Sequence, residues 1–119
     1  MYKIIDPVLI NQRIEEWEAE LFIDIFNLFK ESYYEKMEQI AEVVRKRDFK
    51  GIKEKVHPMK SNFKYFCNNT CEFIEKTQEL ENKGDRKESE GLDQLHDYFA
   101  KNADLAFNEL EQFVKEFSK

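Results

Sequence analysis

Residues 49–66 read FKGIKEKVHPMKSNFKYF, and this stretch decides the fold class. A spacing of three and four residues places side chains on one face of an α-helix, because the helix has about 3.6 residues per turn. The stretch therefore predicts an amphipathic helix that turns one face toward a protein core. The apolar residues that recur at this spacing are Phe49, Ile52, Val56, Met59, Phe63 and Phe66.

The same spacing recurs on both sides of this helix. Asp6-Pro7 is typical of an N-cap followed by proline in the first helical turn, and Ser32 is a second candidate cap. No sustained alternation of apolar and polar residues predicts a strand. The predicted helices cover residues 7–16, 17–29, 33–47, 49–66 and 92–117.

Two segments interrupt the helical pattern. Residues 67–70 indicate a kink or a helix restart, after which Cys71, Ile74 and Thr77 are expected to face inward. The polar residues 81–91, which hold two of the three glycines, predict a loop. Long amphipathic helices with short connections favour an antiparallel bundle. We therefore expect an all-α fold, an antiparallel four-helix bundle with a short extra N-terminal helix, and a single domain over residues 1–119.

Composition narrows the class of function. The net charge of −6 argues against nucleic-acid binding and against docking on an anionic membrane, both of which need a basic surface. No apolar run approaches the ~20 residues that span a bilayer. The first ten residues lack the charged-then-apolar pattern of a signal peptide. We expect a monomer that lies in the cytoplasm, or in both the cytoplasm and the nucleus.

His57 is the residue most suited to chemistry. It lies roughly 130° from the middle of the apolar stripe on the helical wheel, so it is expected to face solvent. Lys53, Lys60 and Lys64 fall close to it on the same face, and Ser61 follows one turn later. The sequence thus places one histidine within a local stripe of lysines on an acidic protein.

Such a histidine has two interpretations. An imidazole with a pKa of ~6.5 is largely neutral at pH 7, so a ring nitrogen can act as a nucleophile. If it carries a phosphoryl group, nearby ammonium groups stabilise the added negative charge. The other interpretation is an ordinary surface histidine among solvated lysines, which is the commoner case on composition alone.

The remaining candidates are weaker. His96 has no lysine three residues later, and we expect it to be ordinary surface or to form a hydrogen bond on the flank of its helix. Cys67 and Cys71 would share one face of a helix, which implies neither a disulfide nor a zinc framework, and small core residues are the preferred interpretation. We expect no metal site, and no glycine-rich phosphate loop is present.

The residues around His57 also resemble a known protein family. The stretch Val56-His57-Pro58-Met59-Lys60-Ser61 resembles the A-H-x-L-K-G-S-S signature of histidine-containing phosphotransfer (HPt) domains. The Asp6-Pro7 cap, the phenylalanine-rich second helix and the Asp48-Phe49 start of the histidine helix are also similar to the family. The polar turn expected at residues 82–85 and the long final helix resemble its plant and fungal members. The similarity covers essentially the whole chain, and His57 and Lys60 are its most specific residues.

The resemblance implies a role for each matched residue. His57 would accept and donate the phosphoryl group, and Lys60 would stabilise it. The partners would be receiver domains of response regulators or hybrid histidine kinases, which supply the aspartate and the Mg²⁺, so the chain is a phosphocarrier rather than an enzyme and needs no cofactor of its own. Binding contacts are expected from Lys53, Ser61, Lys64, Ile10 and Ile14.

The sequence also departs from the family pattern. Ser61 replaces the glycine after the lysine, and Pro58 follows the histidine. Proline removes a backbone hydrogen bond inside a helix and clashes with the carbonyl four residues earlier, here that of Glu54. We expect a kink near residues 54–57 or a restart of the helix at Pro58. These departures motivate the alternative function, a degenerate HPt-fold module that binds partner proteins without phosphotransfer.

Overall fold

A computed structural model describes residues 2–118 of the chain. These residues contain no β-strand, so the prediction of an all-α chain is confirmed. No helix among them is long and apolar enough to cross a membrane. The five helices are α1 (Pro7–Trp17), α2 (Ala19–Arg45), α3 (Phe49–Lys64), α4 (Glu72–Arg86) and α5 (Leu92–Phe117).

Two aspartates fix the starts of α1 and α3. The Asp6 carboxylate accepts hydrogen bonds from the backbone N–H groups of Val8 and Leu9 at 3.0 and 3.3 Å. The Asp48 carboxylate accepts one from Gly51 N at 3.0 Å. Each side chain thereby satisfies N–H groups that have no partner within the helix. The predicted cap and proline start of α1 are confirmed.

Helices α2 to α5 enclose one core. Helix α3 packs against α2 and α4, α5 also packs against α2 and α4, and α1 packs on α2. Aromatic rings fill the centre, and Phe63 of α3 contacts Phe29 of α2 and Phe73 of α4 at ring-centroid distances of 5.3 and 5.0 Å. The buried phenylalanines are Phe22, Phe26, Phe29, Phe63, Phe66, Phe73, Phe99 and Phe107.

The predicted division between residues 17–29 and 33–47 is wrong. Helix α2 runs without interruption through Ser32, which is not a cap. The Ser32 hydroxyl lies 3.3 Å from the carbonyl oxygen of Leu28 and 3.4 Å from that of Phe29. A serine that bonds to the preceding turn is compatible with a helix interior, so its presence did not end the helix.

The predicted loop over residues 81–91 is also wrong for its first half. Helix α4 continues to Arg86, and Lys87 ends it in the left-handed conformation with a φ of 58°. Gly84 is buried inside the helix rather than in a turn. The connection to α5 is therefore only five residues long, 87–91.

Pro58 does not restart the histidine helix, so of the two expected outcomes, a kink or a restart, the restart is wrong. Helix α3 begins at Phe49 and remains helical through Pro58 to Lys64. Pro58 has no N–H to donate to the Glu54 carbonyl, but both residues are exposed. Water can therefore solvate that carbonyl, which explains why a single proline is tolerated at this position.

Candidate functional site

His57 lies on the outer face of α3. Its side chain is 60% exposed, whereas the adjacent Val56 and the nearby Met59 and Phe63 are fully buried. The helical wheel predicted both the exposure and the burial, and both are confirmed. The imidazole is thus held on a helix whose opposite face is fixed in the core.

A carboxylate from α4 holds the ring. His57 Nδ1 lies 3.1 Å from Glu81 Oε1, and the Glu81 side chain is only 13% exposed. A carboxylate can only accept, so this contact assigns the ring hydrogen to Nδ1. In the neutral imidazole, Nε2 then carries the free lone pair. Nε2 is therefore the ring nitrogen that could act as a nucleophile.

Lys60 is the second residue bound to Glu81. Its Nζ lies 2.9 Å from Glu81 Oε1 and 2.6 Å from Gln78 Oε1, and the residue is 8% exposed. Gln78 in turn donates from Nε2 to Asn82 Oδ1 at 2.9 Å. The sequence placed Lys60 in an exposed stripe of cations. The structure instead buries it between α3 and α4, with its charge paired.

The other predicted cations do not join His57. Lys53 pairs with Asp85 at 2.8 Å, and this contact raises the pKa of Lys53 and lowers that of Asp85. Lys64 lies two turns beyond His57 and lines an open groove shared with α1. Ser61 is half-buried one turn after His57. Of the predicted lysines, Lys60 is therefore the one that shares a partner with the histidine.

The predicted contacts in α1 need correction. Ile10 is fully buried, so its side chain cannot contact a partner at the surface, and Ile14 is partly buried against the core. The N-cap at Asp6 sets the register of α1 such that this face packs inward. Exposed apolar side chains occur instead at Leu28 of α2, which is 66% exposed, and at Tyr65, which is 40% exposed.

These exposed residues border a groove between α2 and α3. The groove has a volume of about 210 Å³. Asn62, five residues after His57, forms part of its wall, so the groove begins about one and a half helical turns beyond the histidine. Its lining residues are Ile25, Leu28, Phe29, Ser32, Lys36, Asn62, Tyr65 and Phe66.

The remaining nucleophiles and metal-binding residue types lie elsewhere. Burial lowers the pKa of His96 below its ordinary value, and the nearby Asp97 and Asp93 oppose that shift. Burial also raises the pKa of the Cys67 thiol, which keeps it protonated and unreactive. Within residues 2–118, no group of three histidine, cysteine, aspartate or glutamate side chains is arranged to hold a metal ion.

Sequence reasoning missed Glu81 and Gln78, which lie at the centre of the site. The polar, glycine-containing residues 81–91 predict a loop, which places Glu81 outside any helix, and nothing in the sequence pattern singles out Gln78. Thr77, Leu80 and Gly84 are spaced by three and four residues, which is the signal that α4 continues.

Comparison with protein-family models, with curated proteins and with solved structures finds no match for this chain.

Proposed function

We propose that this chain is a phosphorelay intermediate of the HPt type, in which His57 accepts a phosphoryl group from a receiver-domain aspartate and passes it to another receiver. One observation carries the proposal. His57 is exposed on a core-anchored helix, and Glu81 holds its Nδ1 at 3.1 Å. This arrangement suits a ring nitrogen that must meet a phosphoryl group on another protein.

The transfer step follows from the tautomer. The lone pair of Nε2 attacks the phosphorus of the receiver's aspartyl phosphate in line, a P–N bond forms, and the P–O bond breaks with its electron pair leaving on the aspartate. The hydrogen on Nδ1 stays in place, and the Glu81 carboxylate offsets the positive charge that the ring acquires. Phosphoryl transfer depends mainly on positioning and charge stabilisation, which the receiver and its Mg²⁺ supply.

Lys60 supports this step through its pairing with Glu81. An unpaired carboxylate beside His57 would repel the incoming phosphoryl group. Because Lys60 Nζ lies 2.9 Å from Glu81, the two charges compensate one another close to the ring. Glu81 can therefore orient the imidazole without adding net negative charge to the site.

The groove between α2 and α3 is the docking surface that we propose for the receiver. It begins at Asn62, on the helix that carries His57, and it exposes Leu28 and Tyr65. Apolar patches rimmed by polar residues are typical of protein-binding sites. This surface replaces Ile10 as the expected contact.

The packing of the helices suits the same function. The ring of contacts among α2, α3, α4 and α5, with α1 on α2, is compatible with an antiparallel four-helix bundle that has an extra N-terminal helix. A monomeric carrier of this kind acts in two-component signalling in the cytoplasm, or in the cytoplasm and the nucleus. It serves as a substrate of its partners and needs no cofactor of its own.

Phosphotransfer from a labelled receiver tests the proposal. Receivers phosphorylated on aspartate are mixed with the wild type, with His57→Gln and with His96→Gln, and the label moved to the carrier is counted. We expect uptake by the wild type and by His96→Gln, and none by His57→Gln. Uptake by His57→Gln would place the site elsewhere. Binding of several competent receivers without any uptake would favour the interaction module that lacks transfer.

A further inference from the structure

Helices α3 and α4 are in close backbone contact at Gly84. A Cβ atom at this position would lie 2.8 Å from both the backbone nitrogen of Lys53 and the carbonyl oxygen of Phe49. It would also lie 3.1 Å from Ile52 Cβ. Gly84 is buried within the helix, so its role is to allow this contact rather than to form a turn.

Glu81 lies one turn before Gly84 on α4. It reaches α3 at two atoms, His57 Nδ1 at 3.1 Å and Lys60 Nζ at 2.9 Å. The distance to His57 is already near the upper end of the range for N–H···O hydrogen bonds. A small increase in the separation of the two helices would therefore break this hydrogen bond.

We propose that Gly84 is a positioning residue for His57, because it sets the separation between α3 and α4 at which Glu81 can hold Nδ1. The role in transfer rests on the proposed phosphocarrier function, but the structural link does not. Any side chain at position 84 meets backbone atoms of α3, which cannot rotate away, so α4 itself must move. The imidazole then loses its fixed acceptor, and the hydrogen of the neutral ring distributes between Nδ1 and Nε2.

The tautomer of His57 is the direct readout. In the wild type, ¹⁵N chemical shifts of the neutral ring are expected to show the hydrogen on Nδ1. In Gly84→Ala, we expect a mixture of the two tautomers. A general loss of stability does not by itself change this signal, so it separates positioning from packing.

Gly51→Ala is the matched control. Gly51 is also a buried glycine of the bundle, but a Cβ there would meet the side chains of Asp48 and Val43 at 2.5 and 2.7 Å. This clash lies where α3 meets α2, away from Glu81. We expect Gly51→Ala to lower stability while the His57 tautomer stays unchanged. An equal change of tautomer in both glycine variants would overturn the proposal.

Glu81→Asp tests the same spacing without moving α4. The shorter side chain withdraws the carboxylate by about one C–C bond, ~1.5 Å. We expect the same mixture of tautomers as in Gly84→Ala. If the alanine variant does not fold, Glu81→Asp still provides the measurement. A pure Nδ1–H tautomer in Glu81→Asp, or in folded Gly84→Ala, would contradict the role of helix spacing.

Phosphotransfer measured on the same variants separates this proposal from the function on which it rests. We expect Gly84→Ala and Glu81→Asp to slow transfer by about tenfold or more relative to Gly51→Ala, because small displacements of a reacting group are costly. A tautomer change in a protein whose wild type takes up no phosphate would support the positioning role and contradict the phosphocarrier function. Normal transfer in the variants with an unchanged tautomer would contradict the positioning role alone.

Discussion

The ammonium of Lys60 lies 2.9 Å from the carboxylate of Glu81, and both side chains are almost completely buried, at 10% and 13% exposed. Lys60 lies on α3 and Glu81 on α4, so this ion pair joins the two helices. Burying two charges is unfavourable unless each has a partner, so the removal of one charge leaves the other uncompensated. This pair therefore links the stability of the helix contact to the environment of His57.

We expect Lys60→Met and Glu81→Met each to lower the free energy of unfolding by about 1 to 3 kcal/mol, because each leaves one buried charge unpaired. The double variant should lose less than the sum of the two single losses, since it removes both charges. Urea denaturation of all four proteins measures this coupling. Lys53→Ala, which breaks an exposed pair across the same two helices, is the control and should change stability less. Strict additivity of the two methionine substitutions would contradict the pairing.

Pro58→Ala should stabilise the protein. The substitution restores an N–H that can donate to the Glu54 carbonyl, and α3 is already helical at this position. We expect a gain of up to ~3 kcal/mol in the free energy of unfolding, measured by chemical denaturation. Lys55→Ala, at an exposed site of the same helix, should stay within about 0.5 kcal/mol of the wild type. A Pro58→Ala variant no more stable than Lys55→Ala would mean that the helix has fully accommodated the proline.

Glu109 should hold the N-terminal segment in place. Its buried carboxylate accepts hydrogen bonds from the backbone N–H groups of Lys3, Ile4 and Ile5 at 2.6, 2.8 and 3.1 Å. Glu109→Gln replaces one acceptor oxygen with a donor, so we expect a loss of about 1 to 3 kcal/mol. Amide hydrogen exchange at residues 3–5 should become faster.

Glu111→Gln is the control for this substitution. Glu111 forms an ion pair with Lys30 at 3.0 Å, and the lysine is largely exposed. Its loss should cost less than about 1 kcal/mol and leave the exchange of residues 3–5 unchanged. Unaltered exchange in Glu109→Gln would show that other contacts hold the segment.

His96 should make stability depend on pH. Burial lowers its pKa below the ordinary value of 6.5, so the folded state resists protonation. As the pH falls below 6.5, the unfolded chain takes up the proton more readily and folding stability decreases. We expect wild type to lose more stability than His96→Gln between about pH 7.5 and about pH 5.5, measured by urea denaturation. Asp85 and Asp93 titrate below their ordinary 3.8 and do not contribute in this window. Equal losses in both proteins would contradict the shift.

Much of the fold could be predicted from the sequence because the apolar stripe of α3 is regular. The same apolar stripe predicted that His57 is exposed, because the side of a helix on which a residue lies follows from the sequence of that helix alone. Ser32 misled the prediction because serine is favoured at caps but is also tolerated where it bonds to the preceding turn.

The partner of His57 could not be predicted in the same way. Glu81 reaches the ring only because Gly84 lets two backbones approach closely, and a glycine that permits packing looks like a turn glycine in the sequence. The burial of Lys60 depends likewise on which residues of α4 face it. Contacts between helices depend on both partners, whereas the helical period describes one helix at a time.

The position of the phosphoryl group tests the central claim most directly. The carrier, labelled with ¹⁵N in its histidines, is phosphorylated by a receiver, and the one-bond coupling between ³¹P and ¹⁵N identifies the modified atom. We predict a coupling to Nε2 of His57, because Glu81 occupies the Nδ1 side of the ring. Phosphorylation at His96, or a carrier that takes up no phosphoryl group from any competent receiver, would contradict the proposed role of His57. Phosphorylation at Nδ1 of His57 would contradict the orientation of the ring by Glu81.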